Sequence, residues 1–102
     1  MHTLMASTDR ITEVLLRHKS LFSSFECVYL FGSSLKKQAV PKDVDLLIVY
    51  SDYSERILQN AESVCPALES ILHLPIDLTV MSFDELQETD FLRKIKHYTR
   101  IK

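Results

Sequence analysis

Residues 27–50 read CVYLFGSSLKKQAVPKDVDLLIVY, and this stretch decides the fold. Cys27 to Phe31 is a short apolar run with β-branched and aromatic members, which predicts a buried strand. Gly32-Ser33-Ser34 ends it at once. Val44 to Tyr50 is apolar except for Asp45 and predicts the strongest strand of the chain. The roughly dozen residues between the two strands are enough to hold a short helix. Gly32 is the only glycine in the chain. Few loops can therefore require positive φ, and the position of this one glycine is informative.

Outward from this core, residues 8–25 predict an amphipathic helix. Ile11, Val14, Leu15, His18, Phe22 and Phe25 recur at three- and four-residue steps, with Ser7 or Thr8 as a cap. Residues 53–72 predict a second helix, with Ile57, Leu58, Ala61, Val64, Leu68, Ile71 and Leu72 on one face. Pro66 inside that pattern is expected to kink or split it. Pro75 to Met81 predicts a third strand. Residues 83–100 read as a last helix, acidic at its start (Asp84, Glu85, Glu88, Asp90) and basic at its end (Arg93, Lys94, Lys96, Arg100, Lys102), which complements a helix dipole. The order implies an α/β (α+β) fold, a short mixed β-sheet flanked by helices.

The 102 residues are 46% apolar and 25% charged, which fits one globular domain over 1–102 with one core. An activity that needs a cleft between two domains must borrow its second wall from another chain. No apolar run approaches the length of a membrane span, and Met1 to Ser7 lacks the charged start and apolar stretch of a signal peptide. A net charge of −2 argues against strong nucleic-acid binding. The two cysteines, Cys27 and Cys65, form no C-x-x-C. They read as small buried hydrophobes and point to the cytoplasm. None of His2, His18, His73 and His97 stands at ligand spacing from another histidine or a cysteine.

The chemistry lies in three aspartates. Asp43 and Asp45 are two residues apart at the start of the strongest strand, and on a strand such residues share a face. Asp77 sits between Ile76 and Leu78 in the third strand. Singly, each has an ordinary explanation as a turn residue, a solvent-facing position or half of an ion pair. Together, carboxylates on two apolar strands repel and lose hydration unless something compensates. A divalent cation is the natural compensator, since Mg²⁺ takes oxygen ligands from one or two carboxylates and from substrate phosphates. Gly32 lets the backbone approach a phosphate closely. A helix starting at Ser33 or Ser34 would aim free N–H groups at that anion, with the Ser33 hydroxyl beside them.

Leu30-Phe31-Gly32-Ser33, nine residues, then Asp43-Val44-Asp45-Leu46 resembles the signature of the polymerase β-like nucleotidyltransferase superfamily. Asp77 in Pro75-Ile-Asp-Leu-Thr-Val matches its third carboxylate. The short length and the segment from Met81 to Leu92 are similar to the minimal nucleotidyltransferase (MNT) branch. Lys36 stands where that branch usually has arginine, Lys37 where it has glycine, and Lys42 where it often has serine. The resemblance implies the polymerase β-like nucleotidyltransferase fold and Mg²⁺-dependent transfer of a nucleoside monophosphate from ATP or another NTP to a hydroxyl. It implies Asp43, Asp45 and Asp77 as metal ligands for two Mg²⁺ ions, Gly32 and Ser33 as phosphate anchors, and Lys36, Lys37 or Lys42 as cations near the leaving pyrophosphate.

No acceptor-binding domain is present in these residues. The family therefore implies a partner that brings its own surface, a HEPN-domain toxin whose tyrosine receives AMP, with the chain as an MNT-type antitoxin. The basic residues from Arg93 onward could dock an acidic patch of such a partner. Two other readings stand beside this one: a non-catalytic antitoxin that neutralises its partner by forming a complex, and a small-molecule nucleotidyltransferase whose site is completed by a homo-oligomer or a second subunit.

Overall fold

The structure is a computed structural model that describes residues 8–32 and 42–102. Helix α1 spans Thr8–Arg17 and is followed by a short 3-10 helix, Lys19–Phe22. Strand β1 is Cys27–Phe31 and β2 is Val44–Tyr50. Helix α2, Glu55–Leu72, leads to β3, Ile76–Ser82. Helices α3, Phe83–Thr89, and α4, Phe91–Ile95, precede a last strand, β4, Tyr98–Arg100.

The four strands form one mixed sheet in the order β3-β2-β1-β4. β1 is antiparallel to both β2 and β4, and β2 is parallel to β3 through the α2 crossover. The apolar run of β2 follows from burial on both faces. Leu46 and Ile48 pack with Ile11, Leu15, Phe22, Val64 and Leu68 beneath α1 and α2. Leu47 and Val49 pack on the opposite face with Cys27, Tyr29 and Leu86. All four β2 side chains are fully buried. Each such burial stabilises the fold by about 1.5–3 kcal/mol.

Three expectations are corrected. The first helix ends at Arg17. The chain turns at His18, whose N–H is shared between the Val14 and Leu15 carbonyls at 3.1 and 3.2 Å, and tightens into the 3-10 segment, which still buries Phe22. Pro66 does not split α2, which runs on through it to Leu72. Pro66 removes one N–H, but both it and Glu62, whose carbonyl loses that partner, are exposed, so water can serve the carbonyl.

The largest change is in residues 83–100, which are not one helix. Asp90 adopts φ 55° and closes α3, and Lys96 at φ 65° closes α4. The chain then returns as β4 beside β1, at positions where a helix was expected. Its backbone pairing continues past the strand: Ile101 N–H donates to the Val28 carbonyl at 2.7 Å, and Val28 N–H donates to the Lys102 carbonyl at 3.3 Å.

Candidate active site

Three strands bring their ends to one pole of the sheet. β1 leaves the sheet at Phe31-Gly32, while β2 and β3 begin there at Val44 and Ile76. The Val44 N–H donates to the Pro75 carbonyl at 2.9 Å and locks the starts of β2 and β3 together. The register then places Asp45 beside Asp77 on the parallel pair and beside Phe31 on the antiparallel pair. Neighbours across a sheet share a face. The two aspartates therefore share a face, their backbones about 4.8 Å apart.

Asp45 is half-buried and Asp77 exposed. They stand on the face that carries Leu47 and Val49, the face covered farther along by α3 and α4. Asp45 thus has a protein wall beside it, and Asp77 opens the pair to solvent.

Gly32 completes this corner. Its φ is +81°, in the left-handed region that favours glycine. A Cβ at this position would lie 2.8 Å from Asp45 Cγ and would overlap the carboxylate oxygen. The Asp45 carboxylate therefore occupies space that any other residue at 32 would fill. The glycine serves both the turn and the carboxylate beside it, a second role that the sequence did not reveal.

Asp43 lies in a bend one residue before β2 and is half-buried. Strand alternation does not extend to it, so its direction is not set by the β2 pleat as the two-residue spacing suggested. The pairing the structure makes is Asp45 with Asp77, across strands. Lys42 is exposed next to Asp43. Ser33, Lys36 and Lys37 lie outside the described residues. Among the described residues, no three histidine, cysteine or carboxylate side chains converge tightly enough to form a metal-binding group by themselves.

The donor set nonetheless suits Mg²⁺. Paired carboxylate oxygens are hard ligands, and Mg²⁺ is commonly held by one or two of them with substrate phosphates completing the shell. The cradle at Gly32 keeps a carboxylate where the chain leaves β1.

Cys27 lies in β1 and Cys65 in α2, and both are unpaired cysteines. Burial pushes the Cys65 thiol up from its ordinary value, with the Glu69 and Asp77 carboxylates adding to the effect. Burial likewise raises the Tyr29 phenol, helped by Cys27 beside it. Neither group is poised to act as a base near neutral pH.

Residues 10–100 match the family model described as "Polymerase beta, Nucleotidyltransferase". No curated protein matches the sequence. Among solved structures, a chain in the complex of tri-AMPylated Shewanella oneidensis HEPN toxin with MNT antitoxin is similar over 93% of this chain and 71% of its own, with a TM-score of 0.60 and 14% identity. A chain of a mutant MntA–HpeT toxin–antitoxin is similar over 94% of this chain and 73% of its own, with a TM-score of 0.54 and 18% identity. A candidate nucleotidyltransferase from Sulfolobus solfataricus is similar over 98% of this chain and 89% of its own, with a TM-score of 0.50 and 17% identity. At these identities the likeness is one of fold.

Proposed function

The chain belongs to the polymerase β nucleotidyltransferase family, and from that premise we propose that it transfers a nucleoside monophosphate, AMP from ATP, to a hydroxyl of a partner protein. The observation that carries this reading is the Asp45–Asp77 pair on adjacent parallel strands, with Gly32 packed against Asp45. Asp45 and Asp77, with Asp43 at the mouth of β2, would hold Mg²⁺. When bound, the ion neutralises phosphate oxygens and stabilises the charge of the leaving pyrophosphate.

The chain's own residues supply position and proton handling. The backbone at Gly32 can approach the triphosphate because no side chain intervenes. Ser33, Lys36 and Lys42 are assigned to the same phosphates. The acceptor oxygen forms a bond to the α-phosphorus as the bond from that phosphorus to the bridging oxygen breaks, releasing pyrophosphate. Asp77, the more exposed carboxylate, would take the hydroxyl proton and pass it to water.

For the partner, we assign a HEPN-domain toxin with a tyrosine acceptor and place the chain as an MNT-type antitoxin. This is supported by two similar solved structures, both toxin–antitoxin assemblies, one of them with an AMPylated toxin. A cytoplasmic setting is consistent with two cysteines left unpaired.

The second reading is a non-catalytic antitoxin, favoured by the loop sequence Gly32-Ser-Ser-Leu-Lys-Lys37, in which Lys36 and Lys37 stand where the MNT branch usually has arginine and glycine. Calorimetric titration with ATP, with and without Mg²⁺, separates the two. We expect Mg²⁺-dependent binding by the wild type and its loss in Asp45→Asn, with the variant's circular dichroism unchanged. Binding retained in Asp45→Asn would remove the aspartate pair from the reading. A folded wild type that binds no ATP, yet still protects cells from the partner toxin, would leave the occlusion reading in its place.

A further inference from the structure

The chain's charge is sharply divided. Residues 91–102 carry five lysines and arginines and no carboxylate side chain, whereas residues 1–90 carry seven basic residues against fourteen acidic ones. A helix dipole no longer explains this basic run, because the residues fall on α4, a turn and β4 rather than at the end of one helix. Part of the charge has a structural use. Lys102 donates to three main-chain carbonyls of residues 22–25, Arg93 pairs with Asp90, and Arg100 Nε donates to the Lys102 carbonyl. Lys94 and Lys96 are exposed and pair with no carboxylate among the described residues.

Their placement relative to the aspartates is specific. Tyr98 is the register partner of Phe31, which is in turn the partner of Asp45, itself the partner of Asp77. These four residues form one row across one face of the sheet. Tyr98 lies two strand spacings from Asp45, about 10 Å. Tyr98 is 44% exposed, yet its ring is held edge-to-face on Tyr29 at 5.4 Å between centroids. β4 ends the sheet, so its outer backbone edge has no strand beside it among the described residues.

The approach to β4 is also strained. Lys96 has φ 65° and ψ −50°, and the His97 N–H donates to the Ile95 carbonyl at 2.6 Å. This is a γ-turn of the rare positive-φ kind, which a non-glycine residue adopts at a cost. A lysine is thus held at a bend where glycine would sit more easily.

We propose that the α4–β4 surface, Lys94, Lys96, Tyr98 and the free edge of β4, is the docking site for an acidic, tyrosine-bearing segment of the acceptor protein. The choice of a protein acceptor rests on the transferase reading above. The two lysines face acidic side chains of that segment, its backbone adds to the β4 edge, and Tyr98 is the rigid aromatic anchor. A segment laid on this edge runs parallel to β4, three strand spacings or about 14 Å from Asp45, and the part of it that continues past the Tyr98 end of β4 reaches the pole of the sheet where Asp45 and Asp77 stand. Charge complementarity favours this occupant: residues 1–90 carry seven more acidic than basic residues, whereas residues 91–102 carry only basic ones.

The test is fluorescence anisotropy with a labelled random glutamate–tyrosine copolymer, using the full chain without nucleotide. The wild type is expected to bind and to lose affinity as salt rises from about 0.05 to about 0.3 M. Lys94→Glu/Lys96→Glu is expected to weaken binding at least tenfold, and Lys94→Gln/Lys96→Gln by an intermediate factor, both with unchanged Mg²⁺-dependent ATP binding and unchanged melting. Absence of copolymer binding, or binding indifferent to both pairs of substitutions, overturns the proposal. Tighter binding of poly(U) through the same lysines overturns it in favour of a nucleic-acid surface. Because ATP binding is read separately, copolymer binding without ATP binding rejects the transferase reading and leaves the acidic docking surface standing.

Discussion

At the scale of single residues, the site turns on the absence of one side chain. Gly32 combines positive φ with an Asp45 carboxylate where its Cβ would be. Gly32→Ala therefore incurs a backbone cost and a collision, together about 2 kcal/mol or more, and it displaces the carboxylate. We expect a lower urea midpoint and at least tenfold weaker Mg²⁺-dependent ATP binding. A double-mutant cycle isolates the collision: in an Asp45→Ala background the stability cost of Gly32→Ala should shrink, and equal costs in both backgrounds would remove the contact from the account. Cys65 offers a pH test. Its thiol is raised by burial first, then by Glu69 and Asp77, so its alkylation by iodoacetamide should require more alkaline solution than that of a free thiol. Glu69→Gln should move the profile part of the way back. The linkage has a definite sign. Because the folded thiol holds its proton to higher pH than the unfolded one, Cys65 lowers stability as pH rises from the unfolded value toward the folded one, and it has no effect below that window.

At the scale of elements, what could be read from the sequence follows from how local the signals are. The strands Cys27–Phe31 and Val44–Tyr50 were legible to the residue because their apolar runs are short, β-rich and bounded by a glycine and by Pro41-Lys42. Asp45 and Asp77 were legible as anomalies within such runs. Their partnership was not, because parallel register depends on the α2 crossover and on bonds such as Val44 to Pro75. Residues 83–100 were misread for a physical reason. Their acid-to-base gradient imitates a helix dipole, and no glycine or proline marks the breaks, which fall at Asp90 and Lys96 in positive φ. The alternation Tyr98, Thr99, Arg100, Ile101 was the available strand signal. The start of α3, by contrast, is written locally. Ser82 accepts from the Glu85 N–H at 3.0 Å, and Glu85 accepts from the Ser82 N–H at 3.0 Å. Ser82→Ala should cost about 1 kcal/mol in urea unfolding. Glu85→Ala should cost less in the Ser82→Ala background than alone, since the two bonds form one reciprocal box.

At the scale of the whole molecule, residues 98–102 tie themselves to β1 and to the turn that leads into it. β4 and its extension pair with β1, Ile101 is buried with Val28 and Phe22, and the Lys102 ammonium donates to the Phe22, Ser23 and Phe25 carbonyls at 3.0, 3.2 and 2.5 Å. Those carbonyls belong to the turn that delivers the chain from the 3-10 helix into β1, so the C-terminal segment fixes the strand that ends at Gly32. Burial of one isoleucine is worth about 1.5–3 kcal/mol, and hydrogen bonds from a charged donor about 1.5–3 kcal/mol. Set against a typical net stability of about 5–15 kcal/mol, losing both with the β4 ladder removes much of the margin. Deleting residues 98–102 should therefore abolish cooperative urea unfolding, while Lys102→Ala should keep it and lower stability by about 1–2 kcal/mol. Native-state hydrogen exchange distinguishes a tether from a loose tail. The Ile101 and Lys102 amides, both bonded to the Val28 carbonyl, should exchange with the slow amides of β1 rather than with the exposed turn at Lys96. Exchange as fast as the turn would mean that β4 opens independently of the core, and that the corner at Gly32 is held from β2 and β3 alone.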